Sequence, residues 1–203
     1  MTGKTHLAFG MAVTMLATSP STVSETVMCL GVASIGSVIS DIDVSTSKSR
    51  KNLNKILIII TVSVILLALA ELIFKIGIVK EISKNSNVMR VIIGIMAMLM
   101  ICMFGKNCPH RSFMHSILGL VLLTVSAYII LPEFALYMAI SVISHIFLDM
   151  FNKKRIKLFY PLKKPAIAFR LCSAGGIADY ILFRVSGLIL AVELIIKITG
   201  FLK

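Results

Sequence analysis

Long apolar runs separated by short polar segments set the pattern of this chain. The clearest run is Ile56 to Phe74, broken only by Thr61, Ser63 and Glu71. As a helix it is long enough to cross the roughly 30 Å of bilayer hydrocarbon. Val91 to Phe104 is shorter and strongly apolar. Phe113 to Leu131 and Phe134 to Phe151 flank Pro132-Glu133, which predicts two helices joined by a tight turn. Tyr180 to Leu202 is the last run, and two weaker helices, about Thr5 to Ala17 and Thr26 to Ile42, precede all the others. The pattern predicts an all-α, polytopic transmembrane helical bundle of about six to seven helices, the first too short to cross alone. It reads as one domain over residues 1–203, with no internal repeat.

Composition strengthens this reading. Apolar residues make up 58% of the 203 positions and mean hydropathy is +0.97, more than a water-facing domain of this size normally carries. The net charge of +12 would suggest nucleic acid on a soluble chain. Here the basic residues sit between apolar runs, as they do in cytoplasmic loops of membrane proteins. No nucleic acid is expected, and membrane lipids are the expected partners. His6 and Gly10 interrupt the first run after Lys4, so the N-terminal segment is expected to remain in the mature protein.

The charge pattern also predicts orientation. With every run crossing and the N-terminus inside, Lys4, the cluster Lys48 to Lys55, Lys106, Arg111 and a basic segment at about 152–179 are cytoplasmic. Lys75, Lys80, Lys84, Arg90 and Lys203 fall outside. The 152–179 segment is expected to be a solvated loop. The four cysteines form no C-x-x-C pair, which excludes a thiolate zinc knot.

Against this apolar background the ionisable residues are few and grouped. His6 opens the first helix, and Asp41 and Asp43 close the second. His110 and Arg111 precede the run beginning at Phe113, with His115 in its first turn, and His145 and Asp149 end the next run. Helix starts and ends alternate in this topology, so all seven candidate ligands fall at one leaflet, expected to be the cytoplasmic one. His145 and Asp149 are four apart and share a helix face. A plainer reading has Asp149 capping its helix and Asp41 pairing with Arg111, and Asp179 is expected to be an N-cap. Ionisable residues at membrane depth more often mark a functional site. Imidazole with carboxylate and no thiolate suits a divalent metal, zinc first, with manganese or iron as alternatives. The surplus of ligands allows one or two ions.

These same residues resemble a known family, the LexA-regulated, membrane-bound metal-dependent hydrolases of the YdjM type. The resemblance rests on Thr5-His6 with Gly10, Asp41-Ile42-Asp43, His110-Arg111 with His115-Ser116, and Ser144-His145 with Leu148-Asp149. It extends to Phe159-Tyr160-Pro161-Leu162. The chain departs from the family pattern at Ser40, where a proline is usual, and at Ser112 and Met114, where glycine and threonine are usual. The resemblance implies metal-dependent hydrolysis and supplies no substrate.

The sequence therefore predicts a membrane-embedded hydrolase acting on a phosphoester, a phospholipid headgroup being the natural case at this depth. His6, Asp41, Asp43, His110, His115, His145 and Asp149 are the expected ligands. Asp43 is the expected general base, and Arg111 the expected partner of charge developing on a phosphoryl oxygen. The competing expectation is a divalent-metal transporter or metal sensor. Transport sites, however, usually lie at the midplane between repeats.

Overall fold

A computed structural model describes residues 1–59 and 85–201. Among them the regular structure is helical: α1 (Gly3–Thr18), α2 (Val23–Ile39), α3 (48–59), α4 (Ser86–Asn107), α5 (Ile117–Ile130), α6 (Pro132–Met150) and α7 (Ile177–Phe201). Two 3-10 turns, Ser40–Asp43 and Phe113–His115, extend α2 and precede α5. The chain is an all-α helical bundle. The run Ile56 to Phe74 lies for its greater part outside the described residues.

Local chemistry fixes the helix starts. Thr22 caps α2 by accepting from the Glu25 N–H, and Asn85 caps α4 by accepting from the N–H groups of Asn87 and Val88. Pro132 sits in the first turn of α6, where a missing N–H costs nothing. The run from Phe113 to Leu131 is not one helix. Ser116 adopts an extended conformation and its hydroxyl accepts from the Gly119 N–H. It thereby starts α5 at Ile117 and leaves His115 in the 3-10 turn outside it.

Packing is centred on α1, α2 and α6, which contact one another pairwise. Helix α7 lies against α1, while α5 packs between α4 and α6. Small residues allow the central helices to approach closely. A Cβ added at Gly10 would stand 2.0 Å from the Ser37 hydroxyl oxygen, and one at Gly36 would stand 1.9 Å from that of Ser141. The core between the helices holds Met15, Cys29, Val32, Leu123, Met138 and Val142.

Three helices among the described residues are long and apolar enough to cross a membrane: Val23–Asp43, Ser86–Asn107 and Pro132–Met150. The most apolar of them is the least buried. Ser86–Asn107 has a mean hydropathy of 2.3 with 17% of its apolar window buried, against 1.4 and 50% for Pro132–Met150. Water would favour the reverse order, whereas lipid accommodates an outward-facing Ile93, Met100 and Phe104. Helix α1 has 16 residues, about 24 Å of rise, short of a full crossing. Helix α7, read from the sequence as a span, carries Asp179, Arg184, Glu193 and Lys197 and is not one of the three.

The basic segment after α6 is more ordered than the expected solvated loop. Ile156 and Ile167 exchange two backbone hydrogen bonds, and the Ile156 side chain is fully buried. The Lys157 N–H donates to the Arg111 carbonyl, the Ile117 N–H to the Leu158 carbonyl, and the Phe169 N–H to the Met150 carbonyl. Its backbone thus closes over the ends of α5 and α6, while Lys153, Lys154, Arg155 and Lys157 stay exposed.

Candidate metal centre

The start of α1, the turn after α2, the turn before α5 and the end of α6 meet at one end of the bundle, and each brings ligand-type side chains. His6 comes from α1, Asp41 and Asp43 from the first 3-10 turn, His115 from the second, and His145 and Asp149 from α6. His110 and Arg111 come from the segment between α4 and the second turn. All seven residues expected as ligands are thus in one cluster. His6, His115, His145, Asp43 and Asp149 are buried, Asp41 is partly buried and His110 is exposed.

Three overlapping ligand groups can be drawn: His6, His145 and Asp149; Asp41, His115 and His145; and Asp43, His110 and His115. Within each group one ligand atom per residue lies within 4.8 Å of the others. Two of the groups share no residue, which leaves room for two ions.

Spacing and satisfaction test whether a metal fits. Donors about 2.1 Å from a tetrahedral ion stand about 3.4 Å apart. Here His6 Nε2 is 3.2 Å from Asp149 Oδ1, and His145 Nε2 is 3.7 Å from Asp41 Oδ1. His115 Nδ1 and Nε2 lie 3.3 Å from Asp43 Oδ2 and Asp149 Oδ2 respectively. Despite this proximity, both His115 nitrogens and His145 Nε2 make no hydrogen bond of acceptable geometry, and neither does His6 Nδ1. Buried polar atoms are rarely left so. The His115 and His145 nitrogens, at ligand spacing without hydrogen bonds, are what a metal shell needs.

The surroundings orient these groups. His145 Nδ1 stands 2.6 Å from the Ser37 carbonyl oxygen, which can only accept, so Nδ1 carries the proton and Nε2 presents a lone pair. His110 Nδ1 bonds Asp43 Oδ1 at 2.8 Å, and the Arg111 N–H donates to Asp43 Oδ2 at 3.0 Å. Arg111 sits in the left-handed region at φ 64°. Its guanidinium lies 3.0 Å from Asp149 Oδ2 and also donates to the Lys154 carbonyl. The Asp149 carboxylate is thus engaged by Arg111, His6, His115 and Asn152 rather than capping its helix, and Arg111 pairs with Asp149 rather than with Asp41. For His115, burial alone would lower the pKa. The carboxylates of Asp149 and Asp43 outweigh that and hold it at about 9 in the absence of a metal.

A cavity of about 1010 Å³ opens onto this cluster. Asp41, Asp149, His110 and Arg111 line it, whereas Asp43 does not. Lys4, Lys48, Lys153 and Lys154 stand around it.

The model of the YdjM inner membrane protein family matches residues 1–198. The chain belongs to that family. The match and the three apolar helices together make it a membrane protein. Neither the curated proteins nor the solved structures contain a match. The histidines and aspartates of the family-like motifs are the residues that converge here.

Some supporting residues escaped the sequence reading. Asn152 is buried and donates to Asp149 Oδ1 at 2.7 Å. Its place three residues beyond Asp149 was a usable cue. The Ser37 carbonyl had none, because a backbone acceptor leaves no mark in composition. Asp179 is not an N-cap, since α7 begins at Ile177. Its carboxylate accepts from the Thr2 and Gly175 N–H groups instead, tying the chain ahead of His6 to α7.

Proposed function

We propose that this chain is a membrane-embedded, metal-dependent hydrolase that cleaves a phosphoester at the cytoplasmic face. The observation that carries this reading is the buried cluster of His6, His115 and His145, with nitrogens lacking hydrogen bonds, whose neighbours Asp41, Asp149, His110 and Arg111 line a cavity shared with four lysines. His6, His145 and Asp149 would hold one ion, and Asp43, His110 and His115 a second, with Asp41 reaching between them. A divalent ion, zinc first and manganese or iron next, would polarise a phosphoryl oxygen and acidify a bound water.

The protein's own groups suit the remaining tasks. Asp41 has a side chain 23% exposed and lines the cavity, so it can take a proton from the attacking water. The base role read from the sequence for Asp43 suits Asp41 better, because both Asp43 oxygens are engaged by His110 and the Arg111 N–H. Arg111 lines the same cavity with its Nε lacking a hydrogen-bond partner, and is placed to meet charge on a phosphoryl oxygen. The grouping of the ligands at one end of the helices favours surface hydrolysis over transport.

The test is metal analysis of the purified full chain together with an assay on phosphomonoesters and phosphodiesters. Bound divalent metal and metal-dependent phosphoester cleavage are expected. Activity that survives alanine at both His145 and Asp149 would refute the reading.

A further inference from the structure

The cavity over the cluster has two kinds of wall. Lys4, Lys48, Lys153 and Lys154 come from α1, α3 and the segment after α6, and all four are exposed. None makes a side-chain ion pair among the described residues. Leu7, one turn along α1 from Lys4, lines the same space with Val38 and Val44. Leu7 is 36% exposed. Apolar side chains and four lysines lining one cavity, at the end of a membrane bundle, match an amphiphile with an anionic head. A free phosphate would use only the lysines.

We propose that the cavity receives a membrane lipid with a multiply charged phosphate head, a phosphomonoester or diphosphate. The lysines gather the head and Leu7, Val38 and Val44 take the first carbons of the tail. The four lysines outnumber the cavity's carboxylates, Asp41 and the Arg111-paired Asp149, so the lining attracts a dianion more than a monoanion and repels the ammonium of a choline or ethanolamine head. This rests on the hydrolase reading for its chemistry. There, a water oxygen bonds to phosphorus. In a phosphomonoester the lipid-side P–O bond breaks, the leaving oxygen takes a proton, and a lipid alcohol and phosphate result. In a diphosphate the water attacks the terminal phosphorus, the P–O–P bond breaks, and a lipid monophosphate and phosphate result.

Binding separates the two ideas. The probe is a dioctanoyl phosphonate analogue of phosphatidic acid, which cannot be hydrolysed, titrated onto the purified full chain in neutral detergent. Its competitors are the matching phosphonate of glycerol phosphate and dioctanoyl phosphatidylcholine. The lipid phosphonate should bind at least about tenfold more tightly than either. Leu7→Ser should weaken the lipid phosphonate alone. Lys4→Glu with Lys48→Glu should weaken both phosphonates about tenfold or more, with metal content and helical signal unchanged. The milder pair Lys4→Ala and Lys48→Ala should shift both in the same direction.

Equal binding of the glycerol and lipid phosphonates would overturn the lipid proposal and leave the hydrolase reading intact. Equal binding of phosphatidylcholine would overturn the role of the lysines. A chain that showed the expected preferences but held no divalent metal would end the hydrolase reading and leave the lipid site standing.

Discussion

His6 and His145 lie face to face, with ring centroids 4.0 Å apart and planes inclined by 22°. One ring comes from the start of α1 and the other from the end of α6, so the stack joins two antiparallel helices at a common depth. His115 sits edge-on to His145, with centroids 5.2 Å apart, and His110 edge-on to His115 at 5.4 Å. Four imidazoles are thus in successive ring contact, with Asp149 beside His6 and His115 and Asp43 beside His115 and His110. The sets His6, His145, Asp149 and Asp43, His110, His115 share no residue, which suits two ions better than one.

The disjoint ligand sets make the two ions separable. His6→Ala should remove roughly one equivalent of metal and spare the Asp43 set, and His110→Ala should do the converse. Elemental analysis of each purified variant measures this. Loss of all metal from both variants would show a single shared ion.

Metal binding should depend on pH through His115. Its pKa of about 9 in the metal-free protein lies above the ordinary 6.5. The proton it holds stabilises the metal-free fold fully below about pH 6.5, and that contribution fades as pH rises through about 9. A ligand must lose its proton, so affinity should rise from pH 6.5 towards 9 and then level off. Titrations at several pH values, with protons released to the buffer counted by calorimetry, provide the check. Affinity that stays flat across this window would contradict it.

Gly10 faces Ser37 across the α1–α2 contact. In Gly10→Ala the new Cβ would also stand 2.8 Å from the Ser37 Cβ, which no rotamer change relieves. The substitution should cost about 1–3 kcal/mol and displace His6. Thermal unfolding in detergent should show a lowered midpoint, with weaker metal binding alongside it. An unchanged midpoint would mean the helices part freely here.

Arg111 combines a buried ion pair with a left-handed backbone. Arg111→Ala removes one of the cations at the Asp149 carboxylate, leaving His115 at 3.3 Å and the N-terminal ammonium at 3.7 Å, and should cost about 2 kcal/mol in the metal-free protein. Arg111→Gly loses the same pair, but suits φ 64° without a Cβ penalty. It should therefore unfold about 1 kcal/mol later than the alanine variant. The order of the two melting points tests the backbone argument independently of the charge.

Orientation can be read by labelling. A cysteine at Lys154, at the cavity mouth, should react with a membrane-impermeant maleimide only in inside-out vesicles. Reaction in right-side-out cells would place the cluster on the opposite face.

Much of this arrangement was legible in the sequence because it depends on period and polarity. The apolar runs located the described helices to within a few residues at most ends. The alternation of helix starts and ends assigns His6, Asp41, His115 and His145 to one end of the bundle. The errors fell where side chains competed with that pattern. Ser116 shortened α5 by capping it, Arg111 chose Asp149 over Asp41, and Asp179 bonded the chain near Thr2 instead of capping. The segment after α6 looked polar enough for a solvated loop, yet Ile156 and Ile167 were sufficient to fold it inward.

The sequence by itself determined that the chain is a helical membrane protein with its imidazoles and carboxylates at one end, because lipid forces apolar runs into helices and helices carry residues to fixed depths. Only the tertiary structure decided which nitrogen meets which oxygen, which carboxylate faces the cavity, and that the lysines surround it. Those outcomes depend on how closely Gly10 and Gly36 let helices approach and on bonds from backbone carbonyls such as Ser37. Such contacts join residues far apart along the chain, so no local pattern encodes them.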